Sequence, residues 1–287
     1  MVVAPVLWSS AGVVTRHIER AEPFEQVFWR SLFAFAFVAA ALLFFSTNPF
    51  KALRAAGRAG LFSGAMWAVM FTAFVIALSM TTTANTLVTM SIGPLLTALC
   101  AWLLLSDPVP PRAWVAAAAA SAGIAWMFAS SVDDAGHVGG MLVALLVPLA
   151  SALNLVALRA SHARVDLVPA VMLGGLLSAL VVLPLAVPFS ASPRDLVLLA
   201  LLGVFQLGLP CMLLVVASRH LLAPELALLG LLEVILGPLW AWLGAGEVPA
   251  RATLLGGAVV LAALAGNELA AFRRIMRGKL SVTRISG

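Results

Sequence analysis

Glu233 stands eight residues past Glu225, inside the apolar run 222–244. If that run crosses a membrane, a rise of about 1.5 Å per residue puts the carboxylate about 12 Å deep. A charge there costs about 2.5–3.5 kcal/mol even on the insertion scale, so it must face protein or a wet cavity. Two readings stand: a group that takes up and releases protons, as proton coupling requires, or a hydrogen-bonded carboxyl that holds helices together. Arg30 sits just inside the run 27–46, where it either attracts a carboxylate or extends its head to the interface. Asn154 and Gln206 are lone amides in apolar runs, and each needs a partner in a neighbouring helix or a bound solute. Trp8 and Trp67 fall near the middle of their runs, where an indole N–H also needs a partner. Each ring either packs between helices or walls a cavity. The cavity reading places Trp8, Trp67, Phe71, Ser91, Asn154, Gln206 and Arg30 around one central space.

Other chemistry lacks its residues. His17, His137, His162 and His220 fall in or beside breaks between runs, and none has metal-ligand spacing. There is no Walker Gly-Lys-Ser/Thr element and no Gly-x-Ser-x-Gly elbow. Cys100 and Cys211 both lie inside apolar runs and read as packing residues. The chain is expected to be no enzyme and to use no cofactor or metal.

These residues need a scaffold that only a membrane permits. Of the 287 residues, 63% are hydrophobic and 10% charged, and the mean hydropathy is +1.09. A water-soluble globule carries about a quarter charged residues and is excluded. Ten apolar runs follow one another, near 2–16, 27–46, 59–80, 86–105, 113–130, 138–158, 167–188, 196–217, 222–244 and 252–272. Each reads as a transmembrane helix, and none alternates in the short runs of a membrane barrel. The first run has no basic leader and starts almost at Met1, which leaves open a longer native N-terminus. A cleaved signal peptide is the competing reading of that run. Trp29, Trp102, Trp114, Trp126, Trp240 and Trp242 fall toward run ends, as interfacial anchors do.

The runs also repeat. Ala101, Trp102, Leu103 and Asp107 answer Ala241, Trp242, Leu243 and Glu247, while Pro5 and Arg16 answer Pro148 and Arg159. Five runs per copy is an odd number, so the second copy enters the membrane upside down. The expected architecture is all-α, with ten transmembrane helices in two inverted five-helix repeats, 1–131 and 138–287. Inverted repeats place a substrate site near the midplane, where the copies meet. Gly93-Pro94 and Gly237-Pro238 are helix breakers at comparable depth in the two copies, and Pro210 and Pro148 add further kinks. Gly60 and Gly64 form a Gly-x-x-x-Gly that suits close helix packing.

With the N-terminus inside, twelve Lys and Arg residues fall on the inner side and four (Arg16, Arg20, Arg194 and Arg251) outside. The inner set includes Lys51, Arg54, Arg58 and the tail bases after run ten. Both termini are therefore expected in the cytoplasm and the acidic joint 131–137 outside. The tail bases meet lipid headgroups rather than nucleic acid.

With the repeat in hand, the chain resembles the drug/metabolite transporter superfamily, in its ten-helix EamA-type branch. The likeness rests on Trp8-Ser9-Ser10 and Arg16 in helix 1, Arg30 early in helix 2, and Pro94, Ala101-Trp102-Leu103 and Ser106-Asp107 in helix 4. Leu232-Glu233-Val234 and Gly246-Glu247 complete it in helix 9. Two departures stand out: Val234 replaces a proline that returns at Pro238, and Ser106-Asp107 replaces Gly-Glu. The resemblance implies a bacterial inner-membrane carrier that exports small metabolites by alternating access, its cavity lined by helices 1, 3, 4, 6, 8 and 9. YddG-type exporters of aromatic and other amino acids are the narrowest likeness. Multidrug efflux, and a membrane partner that transports nothing, are the alternatives. The implied partners are a small-molecule substrate and the bilayer.

Overall fold

A computed structural model describes residues 2–45, 48–106, 110–130, 135–160, 168–217 and 223–285, and every regular element in them is helical. We number the helical segments α1 (Val3–Thr15), α2 (Pro23–Phe44), α3 (Pro49–Met80), α4 (Thr83–Leu105), α5 (Pro111–Ser130), α6 (Ala135–Ala160), α7 (Val168–Ala186), α8 (193–217), α9 (Ala223–Ala245) and α10 (Arg251–Ile285). Among the described residues, seven helices are long and apolar enough to cross a membrane, in α2, α3, α4, α6, α7, α8 and α10, while α1 and the 232–245 part of α9 are shorter apolar helices. The chain is a multi-pass membrane protein. Asp107, residues 131–134, His162, Arg164, Arg219 and His220 lie outside the described residues.

Local chemistry starts the helices. Proline occupies the first turn of α2, α3 and α8, where its missing N–H costs nothing. Asn48 caps α3 by accepting from the amides of Phe50 and Lys51 at 3.1 Å. Ser192 and Asp195 form a reciprocal capping box on α8.

Three irregularities interrupt the helices, two of them beside expected breakers. α3 starts well before its span, and Gly57, at φ +55° and ψ −145°, turns the short stretch 49–56 away from the rest. Only glycine reaches that conformation cheaply. α4 divides at Ser91-Ile92, so Pro94 sits harmlessly in the first turn of the second half. In α8, residues Leu202–Gly208 form a π-helical stretch, after which α-helix resumes at Leu209. Pro210 has no N–H for the carbonyl of Gln206, and the widened turns absorb that missing bond. By contrast, α9 runs unbroken through Gly237-Pro238.

The halves interlock. α2 packs on α7, α3 on both α6 and α7, and α5 on α10. Lipid offers no hydrophobic drive to pair helices, so close approach and polar contacts must do it. A Cβ on Gly64 would come within 2.6 Å of Leu173, and one on Gly203 within 2.6 Å of the Arg30 carbonyl oxygen. Gly60 instead meets Ala56 of its own helix, so only Gly64 of the Gly-x-x-x-Gly pair serves the α3–α7 contact. Ser178 of α7 bonds Ser31 of α2 and Thr72 of α3, each at 3.0 Å, in a buried hydroxyl chain.

One end of the bundle is tied by carboxylates. Glu25 accepts from Ser190 N and Oγ and from Ala191 N, at 2.9–3.0 Å. Asp195 accepts from the amides of Glu19 and Arg20 at 3.1 Å. Phe28, Trp29, Phe33 and Phe189 cluster beside them.

Candidate functional site

A cavity of about 230 Å³ opens where α1, α2, α3, α4, α6, α8 and α9 converge. α3 supplies its aromatic wall through Trp67, Met70, Phe71 and Phe74. Their i, i+3, i+4, i+7 spacing puts them on one helical face. The Trp67 and Phe71 ring centroids stand 5.5 Å apart. Met90 and Gly93 flank the α4 break, Pro148 and Ser151 come from α6, and Leu207, Cys211 and Leu214 from α8.

Into this apolar space project Trp8, Arg30, Gln206 and Glu233. Arg30 is 4% exposed and does not reach the interface. Its guanidinium lies 5.3 Å from the Phe74 ring centroid, a cation–π distance, and its Nε has no hydrogen-bond partner. Gln206 Nε2 donates to the Trp8 carbonyl over a long 3.4 Å, and its Oε1 accepts from nothing. The Trp67 indole N–H is likewise unpartnered. Buried polar atoms are normally satisfied, so two spare donors and one spare acceptor around one hole are a chemical signature. Arg30 and Glu233 both line the cavity, yet no ion pair joins them among the described residues.

The structure thus brings together Trp8, Arg30, Trp67, Phe71, Gly93, Gln206 and Glu233. Ser91 and Asn154 stand outside the wall. Ser91 Oγ donates to the Val88 carbonyl at 2.7 Å within its own helix. Asn154 follows Ser151 by one turn on α6, buried, with Oδ1 unpartnered. Pro94 and Pro210 lie next to wall residues without lining it, and Gly237 packs against Leu87 of α4 beside Pro238.

Two features escape sequence reasoning. Cys211, read as a packing residue, is buried and lines the cavity, whereas Cys100 packs in a separate cluster with Ala101, Ala152 and Val156. Helix 2, absent from the expected lining helices, joins the wall through Arg30, which was among the expected cavity residues. The helical stripe that starts at Trp67 was a usable signal for Met70 and Phe74. Nothing in sequence marked Cys211. Among the described residues, no group of three or more His, Cys, Asp or Glu side chains is placed to hold a metal.

No curated protein matches the chain in sequence. Eleven chains of solved structures resemble its fold. One, a protein of known crystal structure, is 18% identical with a TM-score of 0.64, over 94% of this chain and 96% of its own. That likeness speaks to fold alone. Over residues 1–129 the chain matches the EamA-like transporter family, a family of membrane transporters.

Proposed function

We propose that the protein is a secondary transporter of the bacterial inner membrane that exports small metabolites, amino acids and their derivatives foremost, by alternating access. The observation that carries it is the cavity: an aromatic wall around one buried cation, one carboxylate and polar atoms without protein partners. A bundle that transported nothing would gain from filling that space or pairing those groups. Its volume of about 230 Å³ lies below the about 300–1,000 Å³ of drug-sized pockets, which favours small solutes over bulky drugs.

In this reading residues 1–131 and 138–287 are inverted repeats, and the wall draws on both. Support comes from the two sequence echoes and from the packing of α2 and α3 on α6 and α7 across the halves. The charge count sets both termini in the cytoplasm, with the Arg16–Glu247 end of the bundle outside. Glu233 serves as the proton-coupling group, and the breaks at Ser91-Ile92 and Leu202–Gly208 provide give beside the cavity. YddG-type amino-acid exporters are the nearest functional type.

The deciding experiment is purified protein in liposomes, loaded with radiolabelled amino acids or with cationic dyes, with and without a pH gradient. Amino-acid efflux above empty liposomes is expected. Dye movement without amino-acid movement would favour multidrug efflux, and no flux of either would favour the non-transporting partner.

A further inference from the structure

The cavity holds a basic and an acidic side chain that do not touch. Arg30 on α2 is nine-tenths buried with Nε free, and Glu233 enters from α9 in the other half of the chain. An Arg and a Glu left apart inside a membrane each carry a desolvation cost that contact between them would partly offset. Separation is tolerable when something bridges them. Water can, and so can a solute with one acidic and one basic end, its apolar part against Trp67, Met70, Phe71 and Phe74.

We infer that Arg30 and Glu233 are the two poles of a site for a zwitterion, with Arg30 receiving a carboxylate and Glu233 an ammonium group. The inference rests on the reading of the cavity as a transport site. It adds which residues receive the two charged ends of the solute. The planar guanidinium offers only donors and suits a carboxylate, and an ionised Glu233 offers only acceptors and suits an ammonium group. Gln206 Oε1 and the Trp67 indole N–H, both unpartnered, supply one further acceptor and one further donor. The aromatic face of α3 then receives the apolar remainder of the solute. Space for on the order of eight waters, at about 30 Å³ each, admits a small amino acid in a cavity of about 230 Å³. A monovalent cation or anion of the same size leaves one pole unpaired, and the site rejects it on that ground.

The test uses binding, measured by titration calorimetry on the intact protein in lipid nanodiscs with no gradient. The probes are leucine, leucine methyl ester (no carboxylate) and N-acetyl-leucine (no ammonium). Wild type should bind leucine at least about tenfold more tightly than either derivative, the loss expected from one charge-assisted contact. Arg30→Gln should erase the preference over the ester and keep that over N-acetyl-leucine. Glu233→Gln should do the reverse. Arg30→Lys and Glu233→Asp, which keep each charge, should restore part of the preference and guard against simple misfolding. The inference is overturned if wild type fails to bind leucine, binds either derivative equally well, or keeps both preferences in the neutral variants. Liposomes that move leucine while the preferences stay fixed would retain transport and discard the poles. Shifted preferences without any flux would do the opposite.

Discussion

Arg16 Nε meets Glu247 Oε2 at 2.9 Å across 231 residues of sequence and so joins the end of α1 to the end of α9. The pair also grips the turn between α3 and α4. Arg16 Nη2 donates to the Thr81 carbonyl at 3.0 Å, and Glu247 accepts from the Thr83 amide and, at 3.0 Å, from its hydroxyl. Three connections that alternate through the chain therefore share one polar knot.

Glu247→Ala should destabilise the protein by about 1–2 kcal/mol, because it strands the Thr83 amide and the Arg16 guanidinium together. The 34% exposure of the Arg16 side chain keeps the ion-pair part of that loss small. Thermal unfolding in detergent checks this, with Glu247→Gln expected to fall between. An Ala variant that melts like wild type would show the knot contributes nothing.

Gly203→Val should lower stability by about 1–3 kcal/mol, the usual cost of overpacking. The new side chain meets the Arg30 carbonyl and Phe33 at 2.6 Å, so α2 and α8 must separate. Gly230→Ala is the control, since a Cβ there meets nothing within 4 Å. Equal melting of the two variants would remove close α2–α8 packing as a requirement.

Pro210→Ala returns an N–H to face the Gln206 carbonyl and lets α8 relax toward regular α-helix. The variant should melt at or above the wild-type temperature while losing solute flux, because the relaxed turns re-aim Gln206. Wild-type flux with unchanged melting would make the π-helical stretch incidental to the cavity.

Glu233→Gln should leave folded yield intact and abolish the dependence of flux on a pH gradient, because an amide cannot carry a proton on and off. Liposome efflux with the gradient imposed and collapsed is the measurement. A Gln variant that still responds to the gradient would sink the coupling role and leave Glu233 a structural or substrate-binding group.

Much of the scaffold was legible because membrane burial imposes long apolar runs, and each of the ten became helix. Trp8, Trp67, Gln206 and Glu233 were legible for a related reason: polar or amphipathic groups deep in apolar runs must find partners. What escaped was set by tertiary packing. Arg30 has two physically sensible destinations, and only α8, lying against its backbone at Gly203, and the Phe74 ring decide for the cavity. Gly93-Pro94 and Gly237-Pro238 look alike on paper. Yet α4 divides just before the first pair and α9 continues through the second, because a proline in an opening turn and one in mid-helix meet different neighbours. Nothing in sequence marks Gly57 and Gly246 as the glycines that take a positive φ.

The carboxylates of Glu25 and Asp195, 1% and 0% exposed, give that end of the bundle a preferred line of parting. Pulling α2 away from the α7–α8 connection would strip Glu25 of Ser190 and Ala191, and Asp195 of Glu19 and Arg20, leaving anions without donors in a dry setting. The α1–α9–α4 seam is held by a single carboxylate, Glu247, with Arg16 34% exposed beside it, by the Trp240 indole donating to Ser9 Oγ at 3.2 Å, and by apolar contacts of Gly244 with Val13 and Gly237 with Leu87. Parting there would strand one carboxylate instead of two, so at this end α2, α7 and α8 form the more tightly tied edge of the bundle.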